Sequence, residues 1–371
     1  MKLGVSAEQA ELRDSVRRFL AERAPLSRAR QLMEAGDGLD GAVWEQAGSQ
    51  LGLLGLAIPE QYGGAGFTFA EQVIVLEELG AALYGGPYLA SAVLAATALL
   101  ASSDEGCRRD LLPAIASGQT IATLAFTEDD GSWDPAAIRL SATRAGDGWR
   151  LDGHKSFVLD GGSAGLVLVL ALADGALSLF AVEAGAPGLS TTVLPTLDQT
   201  RQLARLELQA VPGRLIGSPG EAAAVMDRVL DVAAIALAAE QLGGAQRALD
   251  MAVEYAKVRH QFGRPIGSFQ ALKHRMADLL LEVESLRAAV SYAAEAVAEG
   301  SQEVPVVAAL LKAYASDTYF HVAAENIQIH GGIGFTWEHD AHLYFKRATS
   351  SGLLLGDASY HRERLATRIS L

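Results

Sequence analysis

Apolar residues recur at three- and four-residue steps near the start of the chain. Leu12, Val16, Phe19 and Leu20 follow Ser6, with Glu8 and Gln9 placed to complete a cap, so the pattern predicts an amphipathic helix. A second helical run covers Phe69 to Leu83 and stops at Tyr84-Gly-Gly-Pro87. A third, dominated by alanine and leucine over Leu89–Leu100, reads as a buried helix. After Pro113 the period changes. From Thr120 to about Gly217 polar and apolar residues alternate, and Asp-Gly pairs begin at 130, 147, 152, 160 and 174, which predicts short antiparallel strands joined by tight turns. Helical periodicity returns at Gly220 and predicts long helices over Ala222–Tyr255, Phe269–Glu299 and Val304–Ile329. The expected fold class is α+β, with an N-terminal helical domain over 1–117, a middle antiparallel β domain over 118–219 and a C-terminal helical bundle over 220–371.

At 371 residues the chain is long enough for two or three domains with large cores. Half its residues are apolar and its formal net charge is -14, which argues against nucleic acid and against anionic membrane as partners. An anionic small molecule is not excluded, because it needs only a few local cations. The run Gly165–Leu179 is broken by Asp174 and Gly175 and predicts two strands and a turn instead of a membrane span. The only cysteine, Cys107, lies in the polar stretch Asp104–Asp110 and is expected to be an exposed spectator; with it no intrachain disulfide is possible. Met1-Lys-Leu-Gly-Val-Ser-Ala-Glu8 lacks the pattern of an export signal, so the expected location is cytoplasmic.

Two stretches carry the chemistry. Arg259-His-Gln-Phe-Gly-Arg-Pro-Ile-Gly-Ser-Phe-Gln270 offers a permanent cation, an aromatic face and an amide. Gln328-Ile-His-Gly-Gly-Ile-Gly334 offers glycines that let a backbone approach a ligand closely. Together they suit the pyrophosphate and adenine of a dinucleotide. Taken singly, each residue reads equally well as helix-end punctuation on a solvated face.

This ordered pair resembles the acyl-CoA dehydrogenase family. Leu54-Gly-Leu-Ala-Ile-Pro-Glu-Gln-Tyr-Gly-Gly-Ala-Gly66, Glu77-Glu-Leu-Gly80 and Leu151-Asp-Gly-His-Lys-Ser-Phe157 are similar to the family's N-terminal and β-domain segments. The resemblance implies a C-terminal four-helix bundle, FAD as cofactor, an acyl-CoA thioester as substrate and electron-transfer flavoprotein as electron acceptor. It implies α,β-dehydrogenation, in which a base takes the α-proton and a hydride leaves the β-carbon for the flavin. It also implies that Arg259, Phe262, Gln270, Gln328, Gly331 and Gly332 bind the FAD of a neighbouring subunit.

The departures from the family pattern are as informative. Where the family carries Thr-Glu-Pro-Gly-Ala-Gly-Ser-Asp, this chain has Thr127-Glu-Asp-Asp-Gly-Ser-Trp-Asp134, whose two added acids are expected to repel the phosphates or carbonyls of a flavin. Where the family has Trp-Ile-Thr-Asn-Gly, Phe157 keeps the aromatic but Leu159 replaces the hydroxyl. The family's catalytic glutamate aligns with Gly356 in Gly356-Asp-Ala-Ser359, and the alternative base position aligns with Ala233. Asp357 and Glu240 remain as weak candidates for a base, and Asp231 is rotated away by its two-residue offset. Glu240 reads either as a base of raised pKa or as the structural partner of an arginine.

The losses have a direction: the parts that reach toward a neighbour's nucleotide remain, while the ring contacts and the base are gone. This is similar to the β-type subunits of heterotetrameric (α2β2) bacterial acyl-CoA dehydrogenases that act on steroid side-chain thioesters. Two alternatives stay open, a self-sufficient homo-oligomer with a relocated base and a structural subunit that binds no flavin. Glu338-His-Asp-Ala-His342 gathers four potential ligands, but its two histidines lack the third ligand and open position of a catalytic zinc, and no metal is expected.

Overall fold

A computed structural model describes residues 6–36 and 38–371, so the reading of the first five residues lies outside the described part. Helix α1 (Ala7–Arg23) starts on the expected capping box: the Gln9 amide donates to Ser6 Oγ and the Ser6 amide to Gln9 Oε1, both at 3.1 Å. Then come α2 (Leu26–Ala35), α3 (Gly41–Glu45) and α4 (Phe69–Ala81). The alanine-leucine run is helical and buried, but its first part, Leu89–Ala95, winds with the wider π spacing before α5 (Ala96–Ala101).

Cys107 corrects the sequence reading. It lies in the first turn of α6 (Glu105–Ala116), whose cap Asp104 accepts the Cys107 amide at 2.9 Å. The polar stretch is a helix start, and Cys107 shares its inner face with Ile115, so the thiol is fully buried. Burial pushes its pKa up to about 12.

The β region comprises β1 (Ala122–Ala125), β2 (Ser141–Ala145), β3 (Gly148–Leu159), β4 (Leu166–Ala173), β5 (Ala176–Glu183), β6 (Leu189–Leu194) and β7 (Leu203–Ile216). Strands β4, β2, β3, β7 and β5 pair in that order, and β5 pairs back to β4, so the sheet closes on itself. The interior is filled by Trp149, Leu151, Val169, Phe180, Leu206 and Val211, with Trp149 edge-on to Phe180 at 5.7 Å. The pairing is mainly antiparallel, but β4 runs parallel to both β1 and β2. Asp174-Gly175 forms the expected primed turn, with φ of 51° and 81°. Asp152-Gly153 does not turn. It sits inside β3 at a bulge, where Gly153 takes φ 136° and Asp152 Oδ1 accepts the Ala210 amide at 2.7 Å.

The C-terminal part holds α7 (Ala222–Val258), a two-strand hairpin of β8 (His260–Gln261) and β9 (Arg264–Pro265), α8 (Gln270–Ala298), α9 (Val304–His330), α10 (Ala341–Leu353) and α11 (Ala358–Arg368). The three long helices fall where periodicity places them. The chain divides into two compact units, one of residues 6–30, Phe69–Tyr84 and Ala234–Leu371, the other of Gln31–Thr68 and Gly85–Ala233. Within the first unit the backbones of α4 and α7 nearly touch. A Cβ on Gly80 would lie 1.9 Å from the Glu240 carbonyl oxygen, and one on Gly243 1.8 Å from that of Glu77. Among the described residues no helix is long and apolar enough to cross a membrane.

Candidate functional site

The helix α7 ends where its backbone is handed to the β8–β9 hairpin. The Arg259 amide still donates to the Tyr255 carbonyl at 2.9 Å, and the Arg259 carbonyl accepts the Ile266 amide at 2.7 Å. The hairpin turns on Phe262 and Gly263, at φ 52° and 75°. Two consecutive left-handed residues define the primed turn for which Asn-Gly is the usual choice. Phenylalanine in the first position carries steric strain of roughly 1–2 kcal/mol, and its ring is 90% exposed. A strained residue that presents a bare aromatic face to solvent is a functional signal. Nearby, the Arg264 guanidinium lies 4.1 Å over the Phe269 ring. Arg259 is exposed and makes no ion pair among the described residues. Gln270 opens α8, and its side-chain amide meets the His274 ring nitrogen at 3.3 Å.

The second segment closes α9. Gln328 is exposed, with its amide unused among the described residues. Gly331 takes φ 65° and ψ −143°, a conformation that strains any other residue. A Cβ on Gly331 or Gly332 would meet no atom within 4 Å, so the backbone here is open to an incoming group. The two segments belong to one compact unit. They are joined by a feature that residue-by-residue reading missed. Tyr255, one turn before Arg259, stacks on His330, next to Gly331, with ring centroids 4.3 Å apart, and His330 meets His339 at 4.2 Å. The signal was available in the histidine inside Gln328-Ile-His-Gly-Gly332, an aromatic where a plain helix end needs none.

The acidic loop of the β region behaves otherwise. Glu128 is buried; its Oε1 accepts the amides of Arg139 and Leu140 and the Nζ of the fully buried Lys155 at 2.9 Å. Burial is the largest influence on both groups, yet the hydrogen bonds from Lys155 and the two amides leave the Glu128 carboxyl below its usual range. Asp129 is held by Arg205, by the Ser156 hydroxyl and by His154 at 3.0 Å. The expected repulsion is therefore countered locally, because Arg205 neutralises one of the two added acids. Asp130 and Asp134 accept amides two residues on, at 3.1 and 2.9 Å, as in turn-forming aspartates. Phe157 sits at a bulge of β3 with φ 58° and is 38% exposed, while Leu159 is buried.

Both weak candidates for a base are engaged. Glu240 is buried against the buried Arg347, whose Nη1 donates to Oε1 at 2.7 Å. Asp357 caps α11, accepting the Tyr360 amide at 2.7 Å. Asp231 is buried and Ala233 fully so. Gly356 takes φ 102°, and a Cβ there would lie 2.2 Å from the Tyr360 ring, so this backbone has no room for a glutamate. Its carbonyl is pinned by Lys312, a fully buried ammonium that also donates to Ser316 Oγ at 2.8 Å and the Gly352 carbonyl at 3.3 Å. Burial lowers the Lys312 pKa to about 7. His339 precedes α10 and His342 lies within it; His339 meets His330 at a tilt of 46° and His342 stacks on Trp337, so the two have different ring partners. A cavity of about 480 Å³ lined by Leu20, Ala24, Ala81, Arg247 and Tyr344 includes none of the predicted site residues.

The chain matches three family models end to end: acyl-CoA dehydrogenase N-terminal domain over residues 6–119, middle domain over 123–211 and C-terminal domain over 222–370. It is 38% identical to the acyl-CoA dehydrogenase IpdE2 of Mycobacterium tuberculosis over 98% of this chain and 97% of that protein. Among solved structures it is similar to a chain of the ChsE4–ChsE5 complex from Mycobacterium tuberculosis, with a TM-score of 0.90 and 31% identity over 100% of this chain and 99% of that one. It is likewise similar to a chain of a variant of the Tcur3481–Tcur3483 steroid acyl-CoA dehydrogenase, with a TM-score of 0.89 and 34% identity over 99% of both chains.

Proposed function

Since this chain belongs to the acyl-CoA dehydrogenase family and is an oxidoreductase of that kind, we propose that it works as one half of a heteromeric enzyme, completing the FAD site of a catalytic partner subunit. The observation that carries this reading is the unpaired Arg259 beside the strained, bare Phe262, in a chain whose two customary base positions are Gly356 and Ala233.

The residues fit the nucleotide end of FAD. Arg259 presents an uncompensated guanidinium suited to a pyrophosphate. Phe262 offers a flat apolar face for adenine, Gln270 and Gln328 offer amides, and Gly331 and Gly332 offer open backbone. When bound, FAD supplies the acceptor for the hydride leaving the β-carbon of an acyl-CoA thioester. On this reading the chain binds and orients the cofactor's nucleotide end. It contributes no proton acceptor, because Glu240 is committed to Arg347 and Asp357 to its helix, and the partner supplies the base. The similarity to chains of the ChsE4–ChsE5 complex and of the Tcur3481–Tcur3483 steroid acyl-CoA dehydrogenase supports an assembly of unlike subunits and a bulky thioester. Electron-transfer flavoprotein is proposed as the onward acceptor.

The test is purification of the chain alone and after co-expression with an acyl-CoA dehydrogenase-like chain that keeps the catalytic glutamate. The expected result is a colourless chain alone and a yellow, active complex whose flavin is lost in Arg259→Ala. A yellow, active homo-oligomer would overturn the proposal in favour of a relocated base.

A further inference from the structure

The segments Arg259–Gln270 and Gln328–Gly334 form the arm proposed to reach a partner's nucleotide, and the ring stack between them has the geometry of a clamp. Tyr255 lies four residues before Arg259, one turn of α7, and His330 immediately precedes Gly331. Their rings are 29° from parallel with centroids 4.3 Å apart. His330 is buried, and its Nδ1–H donates to the Asn326 carbonyl at 2.8 Å, which fixes the ring on its own helix. On its other side His339 approaches at 4.2 Å and 46°. His339 is held in turn, its Nδ1 accepting the Ala341 amide at 3.1 Å and its carbonyl accepting Arg30 at 3.2 Å. A Cβ on Gly334 would lie 2.8 Å from the His330 Cβ, so the glycine turn is wound tightly beneath the same ring.

Resting on the arm reading above, we infer that Tyr255, His330 and His339 are positioning residues whose uncharged stack sets the spacing of Arg259 from Gly331, and that acid weakens the grip of this chain on a dinucleotide by charging the stack. Two imidazolium rings about 4 Å apart repel by more than a tenfold change in an equilibrium constant, even at the effective dielectric of a protein surface. The charged and titratable groups facing the stack are few. From α7 comes Tyr255; from α9, His330, with the neutral Asn326 beside it; from the turn before α10, His339 and Asp340; from α2, Arg30, paired with Asp340 at 2.8 Å, while His342 and Lys346 lie against Trp337. Burial lowers the pKa of His330 and of His339 below the ordinary histidine value; the bond to the Asn326 carbonyl opposes this at His330 and Asp340 opposes it at His339, while His339 lowers His330 and Arg30 lowers His339 further. The stack is therefore neutral at pH 7.5 and takes up protons below 6.5.

The experiment uses FAD as the probe on the purified complex, with retained flavin measured by absorbance after gel filtration at pH 7.5 and pH 5.5. Wild type is expected to retain roughly tenfold less at the lower pH. His330→Phe keeps a stacking ring that cannot charge, so it should retain flavin at both values and flatten the profile. His330→Ala should lose flavin at both. Identical pH profiles for wild type and His330→Phe, or full retention by His330→Ala, would overturn the clamp. Arg259→Ala separates the two levels. If it loses flavin while the His330 variants follow wild type, the clamp alone fails; if it retains flavin, the arm reading fails and the clamp with it.

Discussion

Arg259 and Gln328 stand in solvent with no in-chain partner among the described residues, whereas Glu128, Asp129 and Lys155 are each held by groups of their own unit. Both regions belong to motifs of one family, and both are polar and rich in turns. What separates them is the state of their charges. A charge already neutralised inside the fold has its interaction energy committed to stability. A permanent cation left bare beside a strained aromatic has its interaction still to make. Composition does not distinguish these cases, since both segments are polar runs with turn-forming residues; partners do. The same rule sorts the weak bases: Glu240 is buried and committed to Arg347, while Asp357 is exposed and spends an oxygen on capping its helix.

The largest expected effect lies on the committed side. Lys155→Met leaves the buried Glu128 carboxylate with two amides and no cation, and breaking a buried pair on one side costs about 3–5 kcal/mol. Urea unfolding of the variant should show that loss, while flavin retention per folded complex stays at the wild-type level. Lost flavin with unchanged stability would erase the contrast between the two regions.

Next comes an acid limb set by a buried group of the C-terminal helices. His361 is 1% exposed and its Nε2–H donates to the Leu355 carbonyl at 3.0 Å. Burial, with Lys312 nearby, lowers its pKa to about 3 from 6.5. The folded value lies below the unfolded one, so its contribution is complete above pH 6.5 and is lost as pH falls toward 3. The slope in that window is about 1.4 kcal/mol per pH unit. His361→Gln, which keeps a donor for Leu355, should remove this slope from the pH dependence of unfolding. An unchanged slope would show that the site is hydrated.

On the uncommitted side, Arg259→Ala should leave the unfolding midpoint where it is, because the side chain touches no partner. Its loss removes charge-assisted hydrogen bonds to phosphate, so FAD should bind roughly ten- to a hundredfold more weakly, as read by a flavin titration of the complex. A fall in stability with no change in flavin would move Arg259 to the committed class.

Much of this was legible in the residues. Periodicity located α7, α8 and α9 within a few residues because each buries a continuous apolar stripe. The Asp174-Gly175 turn followed from local chemistry alone. The failures share a cause. Asp152-Gly153 carries the same turn signal but lies in a bulge, because β7 pairs with β3 both before and after it, at Leu151 and from Gly153 on. Cys107 was placed in solvent by its polar neighbours, although the helical period turns it inward. The pairing of Asp129 with Arg205 spans 76 residues, and the stack of Tyr255 on His330 spans 75. Such contacts are set by tertiary packing: a local pattern can mark one residue as unusual, as it does His330 at its helix end, but it does not name the partner.

The smallest effect is also the sharpest, because its two parts have opposite signs. Phe262 occupies a left-handed position that glycine adopts freely, and releasing that strain should stabilise the hairpin of Phe262→Gly by about 1 kcal/mol. The gain is partly offset by the greater freedom of glycine in the unfolded chain. The native ring is 90% exposed, so almost no packing is lost in exchange. If the ring is kept for adenine, the same variant should bind FAD several-fold more weakly, since an aromatic stack contributes about 1–3 kcal/mol per base. Thermal unfolding and flavin titration of one purified variant read both parts. A chain that becomes more stable and binds less well is one in which strain is retained for a ligand. A chain that becomes more stable and binds equally well would leave Phe262 without a task, and the comparison would then rest on Arg259 alone.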